Sequence, residues 1–195
     1  SRIGWWIESW LAPRAYRGSA YVAVSEATRR ELVALGVRAE DIAVVHTGCE
    51  RPVLDPAPAD HPRILVLGRL VPHKRVEHVL AAAAELRHDQ PDLRVAVVGD
   101  GWWAPELAAE ARRLGVDDLV EFTGFVDEQG KHDELSRAWV LALPSLKEGW
   151  GLVVMEAAGY AVPTVGYAAA GGAAESVVAG VTGLLVAGEA GLTAP

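Results

Sequence analysis

Two carboxylates eight residues apart bracket a glycine-punctuated stretch, Glu148-Gly149-Trp150-Gly151-Leu152-Val153-Val154-Met155-Glu156. Ionised carboxylates accept strong charge-assisted hydrogen bonds, which suits them to sugar hydroxyls. Glycines let a ligand approach the backbone closely, and a helix starting near Gly151 would offer free N–H groups and the positive end of its dipole to a phosphate. With Glu156 about one turn inside that helix, its side chain leans back toward the N-terminal mouth, because Cα–Cβ bonds tilt that way. Both carboxylates can then reach one ligand. Taken alone, the pattern reads equally well as two solvent-facing glutamates.

A second glycine turn, Gly68-Arg69-Leu70-Val71-Pro72-His73-Lys74-Arg75, closes an apolar run and carries an Arg and a Lys five apart. Arg69 offers a planar bidentate fork and Lys74 a compact point charge, a pair suited to the two phosphates of a nucleoside diphosphate. Lys74 stands out because the chain has only three lysines, Lys74, Lys131 and Lys147. Solvated cations near a helix start are the plainer alternative. A third turn, Gly99-Asp100-Gly101-Trp102-Trp103-Ala104, satisfies the G-x-G-x-x-A dinucleotide fingerprint, with Glu121 about twenty residues on. It follows the second strand of its domain rather than the first, and two tryptophans would crowd the pyrophosphate, so NAD binding is kept only as an alternative. The six histidines show no paired spacing on one helix face, and His73 and His78 read as solvent-facing.

These turns need elements to place them. From Arg63 onward, short Val/Leu-rich runs alternate with helical patterns, as in βαβ units building a parallel sheet buried on both faces. Strands are expected at 63–68, 93–99, 119–123, 139–144, 163–166 and 183–186, and helices at 74–88, 105–114, 128–137 and 151–160. The fold class is therefore α/β, a doubly wound sheet of about six strands, which places Glu148 on a loop at the carboxyl edge where such folds bind ligands. Ahead of it stands a partial αβ unit: a strand at 21–24, Ser25 as N-cap, a helix at 26–35 closed by Gly36, and a strand at 42–46. Pro52, Pro56, Pro58 and Pro62 read as a linker, giving an amino-terminal remnant (1–51), a proline-rich linker (52–62) and a main domain (63–195).

Composition narrows the partners. The 195 residues hold 26 acidic and 18 basic side chains, a formal charge of −8, which sets a repulsive field for nucleic acid. Hydrophobic residues at 51% and charged residues at 23% exclude a disordered or low-complexity chain. Cys49 is the only cysteine, so disulfide scaffolds and cysteine-based zinc sites are out, and a reducing compartment is expected. The uncharged run 157–174 is built from Ala and Gly and broken by Pro163, unlike a membrane span. The opening segment, with Trp5, Trp6 and Trp10 beside Ile3, Ile7 and Leu11, reads as a helix separated from its packing partner. Peripheral membrane contact and self-association through this segment are the other expectations.

In combination, the motifs resemble the retaining family 4 glycosyltransferases, which move sugars from nucleotide-sugar donors within a two-domain GT-B fold. The resemblance rests on E-x7-E from Glu148 to Glu156, on Gly68-Arg69 with Lys74 before it, on Thr123-Gly124-Phe125-Val126 between, and on Ala23 to Glu50, "AVSEATRREL…VVHTGCE". It covers nearly the whole chain. It implies that Arg69 and Lys74 hold the donor diphosphate, Glu148 the donor sugar hydroxyls and Glu156 the ribose hydroxyls, with Gly68 also among the donor-binding residues. Gly149, Trp150, Gly151 and Leu152 would give backbone contacts, and Gly124, Phe125 and Val126 would border the base, with UDP and GDP both open. Trp150 stands where Phe is commoner, and Arg75 where Gly is commoner. The implied reaction is hexosyl transfer with retained configuration, without metal or cofactor, to an unassigned acceptor in the cytoplasm or at its membrane surface. Arg69, Lys74 and Glu148 would carry the catalytic roles. Because Ser1 is not Met and the acceptor-side domain looks partial, a fragment inactive alone is expected. A nicotinamide-dependent oxidoreductase domain and a non-catalytic nucleotide-binding module are the alternatives.

Overall fold

The central strands are almost continuously apolar after their first residue, Ile64–Leu67 and Val95–Val98, because both faces of the sheet are covered. In the computed structural model, which describes residues 10, 12–16, 18–49 and 56–193, the second strand-forming segment shows this directly. Ile64 and Val66 face one hydrophobic layer and Leu65 the other, and Val95 and Val97 are likewise divided from Ala96 and Val98. Period-2 alternation is thus present in direction but absent in polarity.

The chain divides into two compact units, residues 1–47 and 48–195. In the first, β1 (Tyr21–Ala23) pairs in parallel with β2 (Ile42–Val44), and α1 (Glu26–Ala34) packs on them through Leu32, beside Ala23, Val37 and Ile42. Ser25 caps α1 as expected, its Oγ accepting from Thr28 N at 3.0 Å. Both strands are shorter than the sequence runs suggest. Of the tryptophan-rich segment, only Trp10 is described; it is half-exposed, with the Arg14 guanidinium 4.4 Å from its ring. The expected helix positions Ile3, Trp5, Trp6, Ile7 and Leu11 lie outside the described residues.

The second unit runs β3 (Arg63–Leu67), α2 (Val76–Leu86), β4 (Arg94–Val98), α3 (Ala104–Leu114), β5 (Val120–Gly124), α4 (Glu128–Arg137), β6 (Val140–Leu143), α5 (Leu152–Gly159), β7 (Thr164–Tyr167), α6 (Ala173–Ser176) and β8 (Gly183–Val186). All six strands are parallel, in the order β5-β4-β3-β6-β7-β8. This is a doubly wound, Rossmann-like sheet whose order reverses between β3 and β6. Helices α2 and α3 cover one face with Val79, Leu80, Leu107 and Ala111, and α4 and α5 the other with Leu135 and Ala157. Residues 56–62 lie along this unit, with Ala57 N donating to Ser136 Oγ and Trp139 Nε1 to Ala59 O. No described helix is long and apolar enough to cross a membrane.

Three expectations need correction. The helix expected from Lys74 begins instead at Val76, because Pro72–Lys74 forms a separate 3-10 turn and Arg75 adopts a left-handed conformation, φ 51°. Lys74 therefore rides on a turn, not on α2. The short α6, Ala173–Ser176, carries no periodic signal in the sequence, so no helix is expected there. His78, read as solvent-facing, is buried: its Nε2 accepts from Arg75 Nε at 3.1 Å, so its Nδ1 carries the hydrogen and donates to Tyr167 Oη at 2.5 Å.

The turns at the carboxyl edge touch through bare backbone. A Cβ on Gly99, φ +126°, would lie 2.0 Å from Gly68 O, and one on Gly101 2.1 Å from Leu70 O. Gly68 N donates to Val98 O at 3.0 Å and Leu70 N to Asp100 O at 2.9 Å, locking the two turns together. The fingerprint glycines are thus occupied by their neighbour turn.

Three stability outcomes follow from this packing. Gly99→Ala must displace the Gly68 carbonyl and should cost about 2 kcal/mol or more, read as a lowered midpoint in urea. At the opposite edge the Arg63 guanidinium, 4% exposed, donates to Glu134 Oε2 at 2.6 Å. Glu134→Ala should cost about 3 kcal/mol by leaving a buried charge with only the more distant Glu121, and adding Arg63→Leu should recover stability; a further loss would refute that account. Burial raises the Tyr160 and Tyr167 phenols above the ordinary 10.0. The folded state then keeps protons that the unfolded chain releases, so stability is intact below about pH 10 and falls as pH rises through the raised values. The alkaline slope should be shallower in the Tyr160→Phe/Tyr167→Phe double variant.

Candidate functional site

Strands β3 and β6 are adjacent, and their following chains leave toward opposite faces of the sheet, opening a crevice at their carboxyl ends. Into it comes the turn after β3. Gly68 has φ +150°, Arg69 is exposed, and Leu70, 2% exposed, anchors the turn in the core beside Val76. The 3-10 turn that follows is tied to the loop after β6, where Leu146 N donates to His73 O at 2.9 Å. On that frame Lys74 Nζ donates to Glu148 Oε1 across the crevice, both side chains largely shielded from solvent.

Glu148 is held at both of its backbone groups. Its N donates to Ala170 O at 2.8 Å, and its O accepts from Gly172 N at 2.9 Å, so the loop after β7 fixes it. Gly149 is exposed and Trp150 half-buried. Gly151 takes φ +78° as the residue before α5, with Ala173 Cβ 3.4 Å from where its own Cβ would be. The first-turn amides of Leu152 and Val153 have no acceptors within the helix by geometry, which gives the crevice a positive terminus.

Glu156 lies on the second turn of α5, as the spacing suggested, but its partner comes from α4. Lys131 Nζ donates to Glu156 Oε1 and lies 2.8 Å from both that oxygen and Glu128 Oε2. Burial lowers the Lys131 ammonium's affinity for its proton, but hydrogen bonds and charges from Glu128 and Glu156 outweigh it and hold the group above the ordinary lysine range. Asp127 starts α4 by accepting from Gly130 N at 2.8 Å, which sets Lys131 on the first turn.

The expected residues divide among neighbouring hollows. Gly68, Arg69 and Val126 line one of about 560 Å³ with Phe125, Asp127 and Lys131. Leu152 and Glu156 line another of about 260 Å³ with Lys131 and Tyr160. Arg69 and Lys74 share a narrow cleft with Ser145. The structure thus joins Lys74 to Glu148, and Lys131 to Glu156, while Lys131 belongs to both larger hollows. Among the described residues Arg69 has no ion-pair partner, which leaves it the uncommitted cation of the crevice. The arrangement can bind a ligand that is anionic at one point and rich in hydroxyls at others. No group of three or more His, Cys, Asp or Glu side chains among the described residues could hold a metal.

Lys131 was missed because its partner is 25 residues away in a different motif; only its position five residues after Val126, on a predicted helix's first turn, hinted at it.

Residues 55–190 match the family described as glycosyl transferases group 1. A D-inositol 3-phosphate glycosyltransferase of Kribbella flavida is 38% identical over 179 residues, covering 81% of this chain and 42% of that protein. A GDP-mannose-dependent alpha-(1-6)-phosphatidylinositol monomannoside mannosyltransferase of Mycolicibacterium smegmatis is 36% identical over 136 residues, 66% of this chain and 35% of the other. The crystal structure of Anabaena HepE with UDP and glucose superposes with a TM-score of 0.79 at 26% identity, over 88% of this chain and 50% of that one. The chain spans less than half the length of these two curated relatives. Nothing in these matches supports the oxidoreductase alternative. The parallel six-stranded sheet, the site at its reversal and the match over most of the length agree: this chain belongs to the group 1 glycosyl transferases and carries their Rossmann-like GT-B domain.

Proposed function

We propose that this chain is the donor-binding part of a retaining glycosyltransferase that moves a hexosyl group from a UDP- or GDP-linked sugar to an acceptor hydroxyl. The observation that carries this reading is the crossing of Lys74 and Glu148 beside Arg69 at the β3/β6 reversal. In this reading Arg69 and Lys74 hold the diphosphate, and Glu148 moves from Lys74's sole company to the hydroxyls of the donor sugar. Gly68, Gly149, Trp150, Gly151 and Leu152 supply backbone contacts, and Val126 borders the base. Glu156 accepts from the ribose hydroxyls.

As the bond between the anomeric carbon and the diphosphate breaks, negative charge grows on the leaving group, and the acceptor oxygen bonds to that carbon as its proton passes to the departing diphosphate oxygen. Arg69, Lys74 and the first-turn amides of α5 are placed to stabilise it, a preorganised electrostatic contribution that needs no divalent metal. The glutamates act as hydroxyl acceptors rather than as an acid and nucleophile pair of the glycosidase kind. The lone cysteine, Cys49, fits a reducing, cytoplasmic setting. Relatives named for GDP-mannose and structures holding UDP support a nucleoside diphosphate donor and leave both bases in play.

Calorimetric titration with UDP, GDP and NAD tests this directly. One nucleoside diphosphate should bind, NAD should not, and Lys74→Ala and Glu156→Ala should each weaken binding by about tenfold or more, the loss of a hydrogen bond to a charged group. Binding of NAD, or affinity unchanged in both variants, would overturn the assignment.

A further inference from the structure

Lys131 is the side chain of this site that no motif supplied. Its ammonium lies 2.8 Å from Glu156 Oε1 and 2.8 Å from Glu128 Oε2, with a side chain 20% exposed. It stands where the hollow lined by Phe125 and Val126 meets the one containing Glu156. We infer that Lys131 is a positioning residue for Glu156: the Glu128–Lys131–Glu156 bridge, built from α4, holds the carboxylate in the orientation in which it meets the ribose hydroxyls, and ribonucleoside over 2′-deoxyribonucleoside preference is the readout of that hold. The inference rests on the donor-site reading above and adds to it the residue that holds Glu156 in place.

The argument is one of rigidity. A glutamate side chain has three torsions, and a free carboxylate on α5 would have to be ordered by the ligand at a cost in affinity. Lys131 orders it beforehand from a second element, and takes one oxygen only, so Oε2 keeps its lone pairs for the ligand. Helix α4 is in turn fixed by the Asp127 cap, by buried Leu135, by His132 hydrogen-bonded to Tyr160 and by Glu134 on Arg63. A carboxylate held this way reads a vicinal diol through two hydrogen bonds. Removing the 2′-hydroxyl leaves one acceptor position unpaired in a partly buried site, which is how such sites reject an analogue lacking a polar group. The ammonium's raised proton affinity keeps the bridge charged through the neutral range. A base seated against Val126 would carry its ribose toward the junction that Lys131 occupies.

The test compares UDP with 2′-deoxy-UDP, and GDP with 2′-deoxy-GDP, by calorimetry on the whole chain. The unmodified chain should bind the preferred ribonucleotide about tenfold more tightly than its deoxy form. Lys131→Met should collapse that ratio toward one by weakening the ribonucleotide more than the deoxy form, which keeps only the 3′-hydroxyl for Glu156. Glu156→Gln should give the same collapse, the double variant should be no worse than either, and Lys131→Arg, which keeps a donor for Glu156, should retain part of the ratio. Circular dichroism and melting curves identify a variant that has lost its fold, for which Lys131→Arg and Glu156→Gln carry the comparison. If Lys131→Met weakens both forms equally, Lys131 acts as a general attractor for phosphate or as a structural tie, and the inference falls while the donor site stands. If the unmodified chain binds no nucleoside diphosphate, the donor-site reading falls and takes this inference with it.

Discussion

Everything at the crevice depends on how closely two parallel strands can bring the turns that follow them. Strands in a sheet lie about 4.8 Å apart, so turns leaving neighbouring strands on the same face must pass at backbone contact. Strands β3 and β4 meet this constraint with glycine, where Gly99 and Gly101 lie against the carbonyls of Gly68 and Leu70. Strands β3 and β6 meet it by sending their chains to opposite faces, and the space this opens is the site. The same glycine-rich sequence that resembles a dinucleotide fingerprint is thereby explained by packing within the sheet edge, and the site lies one strand further along.

The charges in that space are arranged as matched pairs rather than as a free cationic patch. Lys74 is satisfied by Glu148 and Lys131 by Glu128 and Glu156. Partly buried charges left without partners would be costly, so pairing lets the domain hold Lys74, Lys131, Glu148 and Glu156 at largely shielded positions. In the proposed donor reading, a ligand that presents phosphate to Lys74 and hydroxyls to Glu148 replaces an interaction that already exists, while the Lys131–Glu156 bridge stays in place. Its affinity is then the difference between two well-satisfied states, which favours selectivity over raw strength. In the same reading Arg69, exposed and without an ion-pair partner among the described residues, is the group whose charge a phosphate would gain without such an exchange.

The parallel sheet was legible because burial on both faces leaves uninterrupted apolar runs, and α4 was legible to the residue, Glu128–Arg137, because its cap and periodicity coincide. Glu148 and Glu156 were legible as a spacing. What sequence could not supply were contacts made at long separation. His78 reads as polar and exposed until Tyr167, 89 residues away, and Arg75 are seen to satisfy both ring nitrogens, after which it belongs with Val76, Val79 and Leu80 on the buried side of α2. The start of α2 was misjudged for a local reason. Arg75 takes a left-handed conformation, φ 51°, which separates the 3-10 turn from α2 and leaves no mark in the apolar periodicity.

Helix α4 shows why the fold uses directional bonds where the site needs precision. Its sequence, Glu128 to Arg137, is mostly polar, and Leu135 is its buried residue. A broad apolar stripe would hold such a helix to the sheet but would tolerate sliding and rotation, since the hydrophobic effect has no preferred direction. Instead α4 is tied at successive points along its length, by Asp127 at its start, Lys131 to Glu156, His132 to Tyr160, Glu134 to Arg63 and Ser136 to the backbone of Ala57. Each tie fixes a rotation as well as a distance, because a hydrogen bond weakens steeply when its angle is lost. The ties reach α5, the sheet and the segment ahead of β3, three separate parts of the unit, so no single rigid-body shift of the helix can satisfy them all except the one observed. The ammonium of Lys131 inherits that position, and Glu156 inherits it from Lys131.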